Sequence, residues 1–191
     1  RLARSLFLYA LCNGRLQEGQ AVIDASSGST AISEAWFARL LGLRFTAVMP
    51  ECTTPRKISV LQSLGAECDL VPAGIDASEH ARERARTEGA CYLDQFGLAE
   101  RATDWRGNNK IAESILTQMQ KESNPIPTWL VCGAGTGGTS ATIGRYLRYR
   151  RLPTLLCVAE PIGGAFAQAW QTRAITETKP CQTIIEGIGR S

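Results

Sequence analysis

A glycine-rich turn between an apolar strand and a helix constrains this chain more than any other feature. Residues 128–132 form a strand pattern, residues 133–139 contain four glycines, and a helical pattern follows over 140–150. Glycine lets several successive backbone N–H groups point at one oxyanion, and the N-terminus of the following helix adds partial positive charge. This segment, called the glycine loop (residues 133–139), therefore predicts a phosphate site in an α/β fold.

Strand-like and helix-like segments alternate along the chain with short connections, which predicts open, mostly parallel sheets flanked by helices. A long helical pattern over 100–121 follows the segment around Gln95. We therefore expect two lobes, a smaller one over 1–98 and a larger, incomplete one over 99–191, with a ligand between them. The expected strands span 21–24, 45–49, 67–71, 90–93, 128–132 and 155–158.

Composition and charge exclude several classes of protein. Hydrophobic residues at 44% and charged residues at 20% are typical of a globular protein, and the net charge of +3 is too small and too scattered to favour nucleic-acid binding. No apolar stretch reaches the length of a membrane span. The seven cysteines form no CxxC pair and the single histidine, His80, lies away from them, so we expect no metal site. Reduced structural cysteines favour a cytoplasmic location.

Both ends of the sequence indicate truncation. Arg1 enters a helical pattern without an initiating methionine or an N-cap residue, and the last residues, 184–191, stop where a strand pattern meets a glycine turn. We interpret the chain as an internal fragment of a longer protein.

The glycine loop is also compatible with a dinucleotide. Gly133, Gly135 and Gly138 match G-x-G-x-x-G, and Glu160 follows Gly138 by 22 positions at the end of the next expected strand. This arrangement is typical of a Rossmann unit in which the acid binds a ribose hydroxyl. An NAD-dependent oxidoreductase is therefore one interpretation, and glycines that serve only helix–strand packing are another.

A second loop favours a different ligand. Residues 26–30, called the serine loop, offer four hydroxyl side chains in five positions between a strand and a helix. Hydroxyl donors at a helix N-terminus suit a carboxylate, whereas capping the helix needs only one of them. One phosphate site and one carboxylate site together predict a phosphorylated cofactor beside an amino or keto acid.

The two loops together closely resemble those of the pyridoxal-phosphate enzymes of the cysteine synthase and cystathionine β-synthase type. Residues 94–96 resemble the glutamine segment of that family, and residues 186–189 resemble its later glycine turn. The sequence over 92–107 is most similar to a bacterial branch described as L-cysteine desulfhydrases. The resemblance implies fold type II, the tryptophan synthase β-like fold, and pyridoxal 5'-phosphate as cofactor.

The resemblance also implies a role for individual residues. The residues expected to bind the cofactor phosphate are Gly135, Thr136, Gly137, Gly138 and Thr139. Those expected to hold the substrate carboxylate are Ser26, Ser27, Gly28 and Thr30, with Gln95 assisting. Ser29 stands where relatives usually carry an asparagine against the phenolic oxygen of the cofactor, and Gly187 is expected near the cofactor face.

No catalytic residue is expected within the chain itself. The family binds its cofactor as a Schiff base to a lysine that precedes an arginine, and Arg1 resembles that arginine, so we expect the lysine just upstream. The residue that contacts the pyridine nitrogen is expected beyond Ser191. The lysines that the chain does contain are interpreted as surface residues: Lys57, Lys110, Lys121 and Lys179.

The function that the resemblance implies is β-elimination on L-cysteine, giving sulfide, pyruvate and ammonia. The alternative is β-replacement of the cysteine synthase type on O-acetylserine or a related β-substituted alanine. A regulatory relative that lacks the lysine, and binds an amino acid without converting it, is a third possibility. The family leads us to expect a homodimer.

Overall fold

The computed structural model describes residues 2–103, 111–174 and 187–189. It divides into two compact units, Arg1–Ala102 and Thr103–Ser191, each with its own parallel sheet. Helices and strands alternate within both units, so the predicted α/β class is confirmed.

The first unit is built on a four-stranded parallel sheet in the order β3-β2-β1-β4. Its elements are α1 (Leu2–Cys12), β1 (Val22–Ala25), α2 (Ser29–Leu40), β2 (Phe45–Pro50), α3 (Pro55–Ser63), β3 (Glu67–Val71), α4 (Ala77–Glu88), β4 (Cys91–Tyr92) and α5 (Gln95–Ala102). Because β1 and β4 are adjacent and parallel, the loops that follow their carboxyl ends emerge at the same edge of the sheet.

The sheet of the first unit is buried on both faces. All four residues of β1 and the first five of β2 are buried. One face packs in a cluster that includes Leu6, Met49 and Leu61, and the other in a cluster that includes Ile23 and Val48. Continuous apolar strands are expected for a parallel sheet covered on both sides, and this pattern is why their positions could be read from the sequence.

The second unit contains a two-stranded parallel sheet. Its elements are α6 (Ile111–Met119), β5 (Trp129–Gly133), α7 (Gly138–Tyr149), β6 (Leu155–Ala159) and α8 (Ala165–Thr172). One face of the sheet, through Leu130 and Leu156, packs against Ile143 and Leu147 of α7. The α7 helix begins at Gly138, directly at the end of the glycine loop.

The long helix predicted over 100–121 is wrong in its bounds. The described residues form two helices there, because α5 begins at Gln95 and ends at Ala102. Asp94 causes the early start: it adopts a φ of 56°, and its Oδ1 accepts a hydrogen bond of 3.0 Å from the Gly97 amide, as an N-cap residue does. The strand expected at the end of the chain, over 184–186, lies outside the described residues.

The next two findings apply to the described residues only. None of their helices combines the length and the apolar character needed to cross a membrane, and no group of three or more His, Cys, Asp or Glu side chains is arranged to hold a metal ion. The six cysteines within the described ranges are all free.

Candidate functional site

The serine loop connects β1 to α2 at the carboxyl edge of the first sheet. The Ser26 hydroxyl accepts hydrogen bonds from the amides of Gly28 (3.4 Å) and Ala31 (3.3 Å). Ser26 therefore shapes the loop through its oxygen while its O–H proton stays available to a ligand. Ser27 and Thr30 are half-buried and Ser29 is exposed. These hydroxyls and the amides at the N-terminus of α2 form one group of hydrogen-bond donors.

Gln95 lies beside the base of the serine loop. It is 4% exposed, its backbone N–H donates to Asp24 Oδ2 (3.2 Å), and its Nε2 donates to the Ala25 carbonyl oxygen (2.7 Å). The structure thus brings together the predicted carboxylate-binding residues within the first unit. Because the side-chain nitrogen of Gln95 donates to the Ala25 carbonyl oxygen, this side chain supports the base of the serine loop.

Two buried acids under the serine loop escaped the sequence analysis. Asp24 of β1 and Glu34 of α2, called the acid pair, are both 0% exposed. Burial raises the pKa of Asp24 to about 7, and burial together with the nearby Asp24 charge raises the pKa of Glu34 well above its ordinary value. Helical spacing carries the signal for Glu34, because it shares the buried face of α2 with Ala31, Ala35 and Ala38.

The glycine loop forms the second candidate site, in the second unit. Gly137 precedes α7 with a φ of 78°, a left-handed conformation that glycine adopts without strain. The Gly138 amide approaches Thr136 Oγ1 at 3.4 Å, and Ser140 Oγ donates to the Gly137 carbonyl oxygen at 3.0 Å. The first N–H groups of α7 have no intrahelical acceptor, so the turn presents backbone donors and threonine hydroxyls to an oxyanion.

Residues 187–189 approach this loop closely. A Cβ atom on Gly135 would lie 2.5 Å from the Gly187 carbonyl oxygen, and one on Gly133 would meet the Ile188 side chain. The Gly189 amide donates to the Ala134 carbonyl oxygen at 2.8 Å. The structure therefore brings Gly187 to the glycine loop, and only glycine fits at position 135. The glycines at 133 and 135 therefore make room for residues 187 and 188, and the donors at the start of α7 are the part of the loop that fits a phosphate.

Glu160 has a structural role in the described part of the chain. Its carboxylate accepts the backbone N–H groups of Phe166 (2.9 Å) and Ala167 at the start of α8. A carboxylate that caps a helix in this way is not directed at a ribose, so the geometry gives the dinucleotide interpretation no support. Lys110 and Lys179 lie outside the described residues.

These features define a class of protein, and the family comparison agrees with it. The model of the family "Pyridoxal-phosphate dependent enzyme" matches residues 1–191. The chain belongs to this family. The resemblance noted in the sequence is thereby confirmed, and the oxidoreductase interpretation is set aside.

Individual members of the family differ in how similar they are to this chain. The chain is 57% identical over 190 residues to the L-cysteine desulfhydrase Cds1 of Mycobacterium tuberculosis (strain ATCC 25177 / H37Ra), covering 100% of this chain and 52% of that protein. It is 30% identical to cystathionine β-synthase of Saccharomyces cerevisiae (strain ATCC 204508 / S288c), covering 99% of this chain and 38% of that one. The chain thus spans about half the length or less of these curated relatives.

Solved structures give the same fold. An O-ureido-L-serine synthase superposes with a TM-score of 0.79 at 26% identity, covering 99% of this chain and 57% of that one. A hydrogen sulfide-producing enzyme, solved with an α-aminoacrylate intermediate, superposes with a TM-score of 0.78 at 25% identity, covering 98% and 55%. The predicted fold type II is confirmed by these neighbours.

Proposed function

We propose that the protein acts in a pyridoxal-phosphate-dependent lyase that removes sulfide from L-cysteine and leaves pyruvate and ammonia. The observation that carries this proposal is the 57% identity, along the whole chain, to an L-cysteine desulfhydrase. The likeness to a hydrogen sulfide-producing enzyme supports it. The chain covers 52% of the desulfhydrase, so the activity belongs to the complete protein.

The glycine loop is proposed to hold the cofactor phosphate. The residues assigned to it are Gly135, Thr136, Gly137, Gly138 and Thr139, with Gly187 near the cofactor face and Ser29 towards the phenolic oxygen. The unpaired amides at the start of α7 neutralise an oxyanion without a desolvated lysine or arginine. When bound, pyridoxal phosphate supplies an electron sink for the negative charge that develops at the substrate Cα.

The serine loop is proposed to hold the substrate carboxylate. Ser26, Ser27, Gly28 and Thr30 supply hydroxyl and backbone donors, and Gln95 supports the loop through Ala25. Fixing the carboxylate fixes the direction of the Cα–H bond, which lowers the entropic cost of reaching the reactive geometry. We assign no catalytic base within the chain, and the lysine upstream of Arg1 stays a prediction.

Three further properties are part of the proposal. The lobe over 1–98 carries the carboxylate loop and the lobe over 99–191 carries the phosphate loop. The protein works as a homodimer and in the cytoplasm. The six free cysteines within the described ranges fit a reducing compartment. Size-exclusion chromatography with light scattering tests the assembly, and cell fractionation tests the location.

The activity is tested on the full-length holoenzyme. L-Cysteine alone should change the visible absorbance of the cofactor and release pyruvate and sulfide in equal amounts. The competing β-replacement activity predicts little pyruvate from cysteine, and rapid cysteine formation from O-acetylserine and sulfide. That second result would overturn the proposal in favour of a synthase.

The role of the serine loop has its own test. Ser27→Ala removes one donor to a charged group, a loss of about 1.5–3 kcal/mol, so KM for cysteine should rise roughly ten- to hundredfold. Ser63→Ala is the matched control, because the Ser63 hydroxyl is exposed and donates to the Val60 carbonyl oxygen within its own helix. Equal KM values for the two variants would remove Ser27 from the site.

A further inference from the structure

The acid pair occupies an unusual position for two carboxyl groups. Asp24 and Glu34 come from a strand and from the helix packed on it, and both are 0% exposed. Both side-chain oxygens of Glu34 are buried and lack a hydrogen-bond donor among the described residues. Leaving a buried polar group without a partner costs about 1–3 kcal/mol, and more if it is charged, so the arrangement requires an explanation.

One proton resolves the problem. Two ionised carboxylates are both acceptors and repel each other, whereas a protonated carboxyl is a donor to an ionised one. Asp24 is the group whose oxygens already accept hydrogen bonds, from the amides of Ala25 (2.9 Å) and Gln95 (3.2 Å). Asp24 is therefore the ionised partner and Glu34 is the carboxyl that carries the proton.

Anionic and cationic groups around the pair act in opposite directions. Burial is the main cause of the raised pKa of both groups, and the charge of Asp94 further raises that of Asp24. Burial and the Asp24 charge also raise the pKa of Cys91 and the pKa of Tyr92 in β4. Two cations oppose this rise. Arg15 donates to the Tyr92 carbonyl oxygen and opposes the rise in the pKa of Cys91, and Arg82 opposes the rise in the pKa of Tyr92.

We propose that Glu34 is a positioning residue: its protonated carboxyl donates a hydrogen bond to the Asp24 carboxylate and thereby fixes the serine loop and Gln95 for binding a substrate carboxylate. Asp24 connects the two, since it accepts the Gln95 amide and lies directly before Ala25, whose carbonyl oxygen accepts Gln95 Nε2. This inference rests on the proposed role of the serine loop. Loss of the proton weakens the contacts that hold Asp24, Gln95 and the serine loop together, and it adds a negative charge beneath the loop. Both effects weaken the binding of an anion.

The protonation itself is tested without any substrate. Infrared spectra of the intact holoenzyme at neutral pH should show the C=O stretch of a buried protonated carboxyl, and Glu34→Gln should lose it. Glu18→Gln, an exposed glutamate in the same unit, should keep it. Absence of the band from the wild type, or its persistence in Glu34→Gln, would overturn the inference.

The positioning role is tested by comparing two replacements. Glutamine keeps a donor towards Asp24 and leucine does not, so hydrogen exchange at the Gln95 amide should stay slow in Glu34→Gln and accelerate about tenfold or more in Glu34→Leu. A role in packing alone would give both variants the same exchange rate. If the leucine variant does not fold, the pH profile of the glutamine variant decides the same point.

The pH profile gives the link to substrate. KM for cysteine in the wild type should rise with pH once the pair loses its proton, by up to about tenfold per pH unit, with kcat changing less. The Glu34→Gln profile should lack this component, and the titration of the substrate itself cancels in the ratio of the two KM values. A constant ratio across pH would refute the positioning role. If cysteine is not converted at all, the proposed function fails while the infrared and exchange results still decide on the acid pair.

Discussion

The two units use the same kind of parallel strand but cover it differently. In the first unit all of β1 and the first five residues of β2 are buried. In the second unit β5 alternates between exposed and half-buried residues, with Trp129 at 56% and Val131 at 68% exposure, and β6 is exposed except at Leu156. All four strands are rich in apolar residues on both faces. The described part of the second unit covers only one face, through α7.

The contrast extends to the loops at the strand ends. The serine loop lies over a buried sheet and is supported by side chains, namely Asp24, Ser26 and Gln95. The glycine loop is shaped by the hydroxyls of Thr136 and Ser140 and by the close approach of Gly187. One anion site therefore rests on groups that can titrate, and the other depends on glycines that let residues 187 and 188 approach closely.

The largest expected effect separates the two cores. Met49→Ala, at a position 0% exposed in the first unit, should lower the free energy of unfolding by about 2–5 kcal/mol. Leu155→Ala, at a position 51% exposed in the second unit, should change it by about 0.5 kcal/mol or less. Urea denaturation measures both. Equal losses would mean that the sheet of the second unit is as well covered as that of the first.

The next effect separates the two loops. A Cβ on Gly135 would overlap the Gly187 carbonyl oxygen, at an overpacking cost of about 1–3 kcal/mol, so Gly135→Ala should weaken cofactor binding roughly ten- to hundredfold. Gly28→Ala is the matched control, because no atom lies within 4 Å of its Cβ position and its φ is −111°. Titration with the cofactor, followed by absorbance, measures both affinities. Equal affinity of the two variants for the cofactor would contradict the prediction.

A third prediction concerns pH, since among the described residues the large shifts of carboxyl pKa lie in the first unit. Burial raises the pKa of both members of the acid pair, that of Asp24 from 3.8 to about 7, so the folded pair keeps a proton that the unfolded carboxyls lose. A folded state that binds more protons than the unfolded one loses stability as pH rises, so the free energy of unfolding should fall between these two values. Glu34→Gln should flatten this dependence and Glu18→Gln should not. Urea midpoints measured from pH 4 to pH 8 check the sign.

The smallest effects concern helix caps, where the units should behave alike. Asp76 accepts the amides of Ser78 and Glu79 at the start of α4, as Glu160 accepts those of Phe166 and Ala167 at the start of α8. Replacing either acid with alanine should cost about 1 kcal/mol. Thermal unfolding measures both losses. A loss of ligand binding in Glu160→Ala, without a loss of stability, would restore a binding role for Glu160.

Most of the first unit could be predicted from the sequence because its strands are short apolar runs with clear turns. The expected strands over 45–49 and 67–71 match β2 and β3 closely. Proline at the start of α3 and Gly89 after α4 mark helix ends by their backbone preferences alone. Neighbouring residues determine these boundaries, so the boundaries could be predicted from short stretches of sequence.

Sequence reading missed one local turn and one contact between residues of different elements. Asp94 adopts a left-handed conformation and accepts a hydrogen bond from the Gly97 amide, so α5 begins earlier than the helix expected over 100–121. The acid pair appears in the sequence as two isolated polar residues, and only the packing of α2 on β1 makes them neighbours. The site residues of the two loops remain predictions, since their ligands define them and local patterns do not.

The hydrogen bond from Gly189 to Ala134 makes the glycine loop a product of two chain segments that are far apart in sequence. Any molecule that rigidifies residues 133–139 also secures the short stretch resting on them, because the two share one backbone contact and one steric boundary. Cofactor loading and protection of that stretch from proteases should therefore rise together, as linked equilibria require.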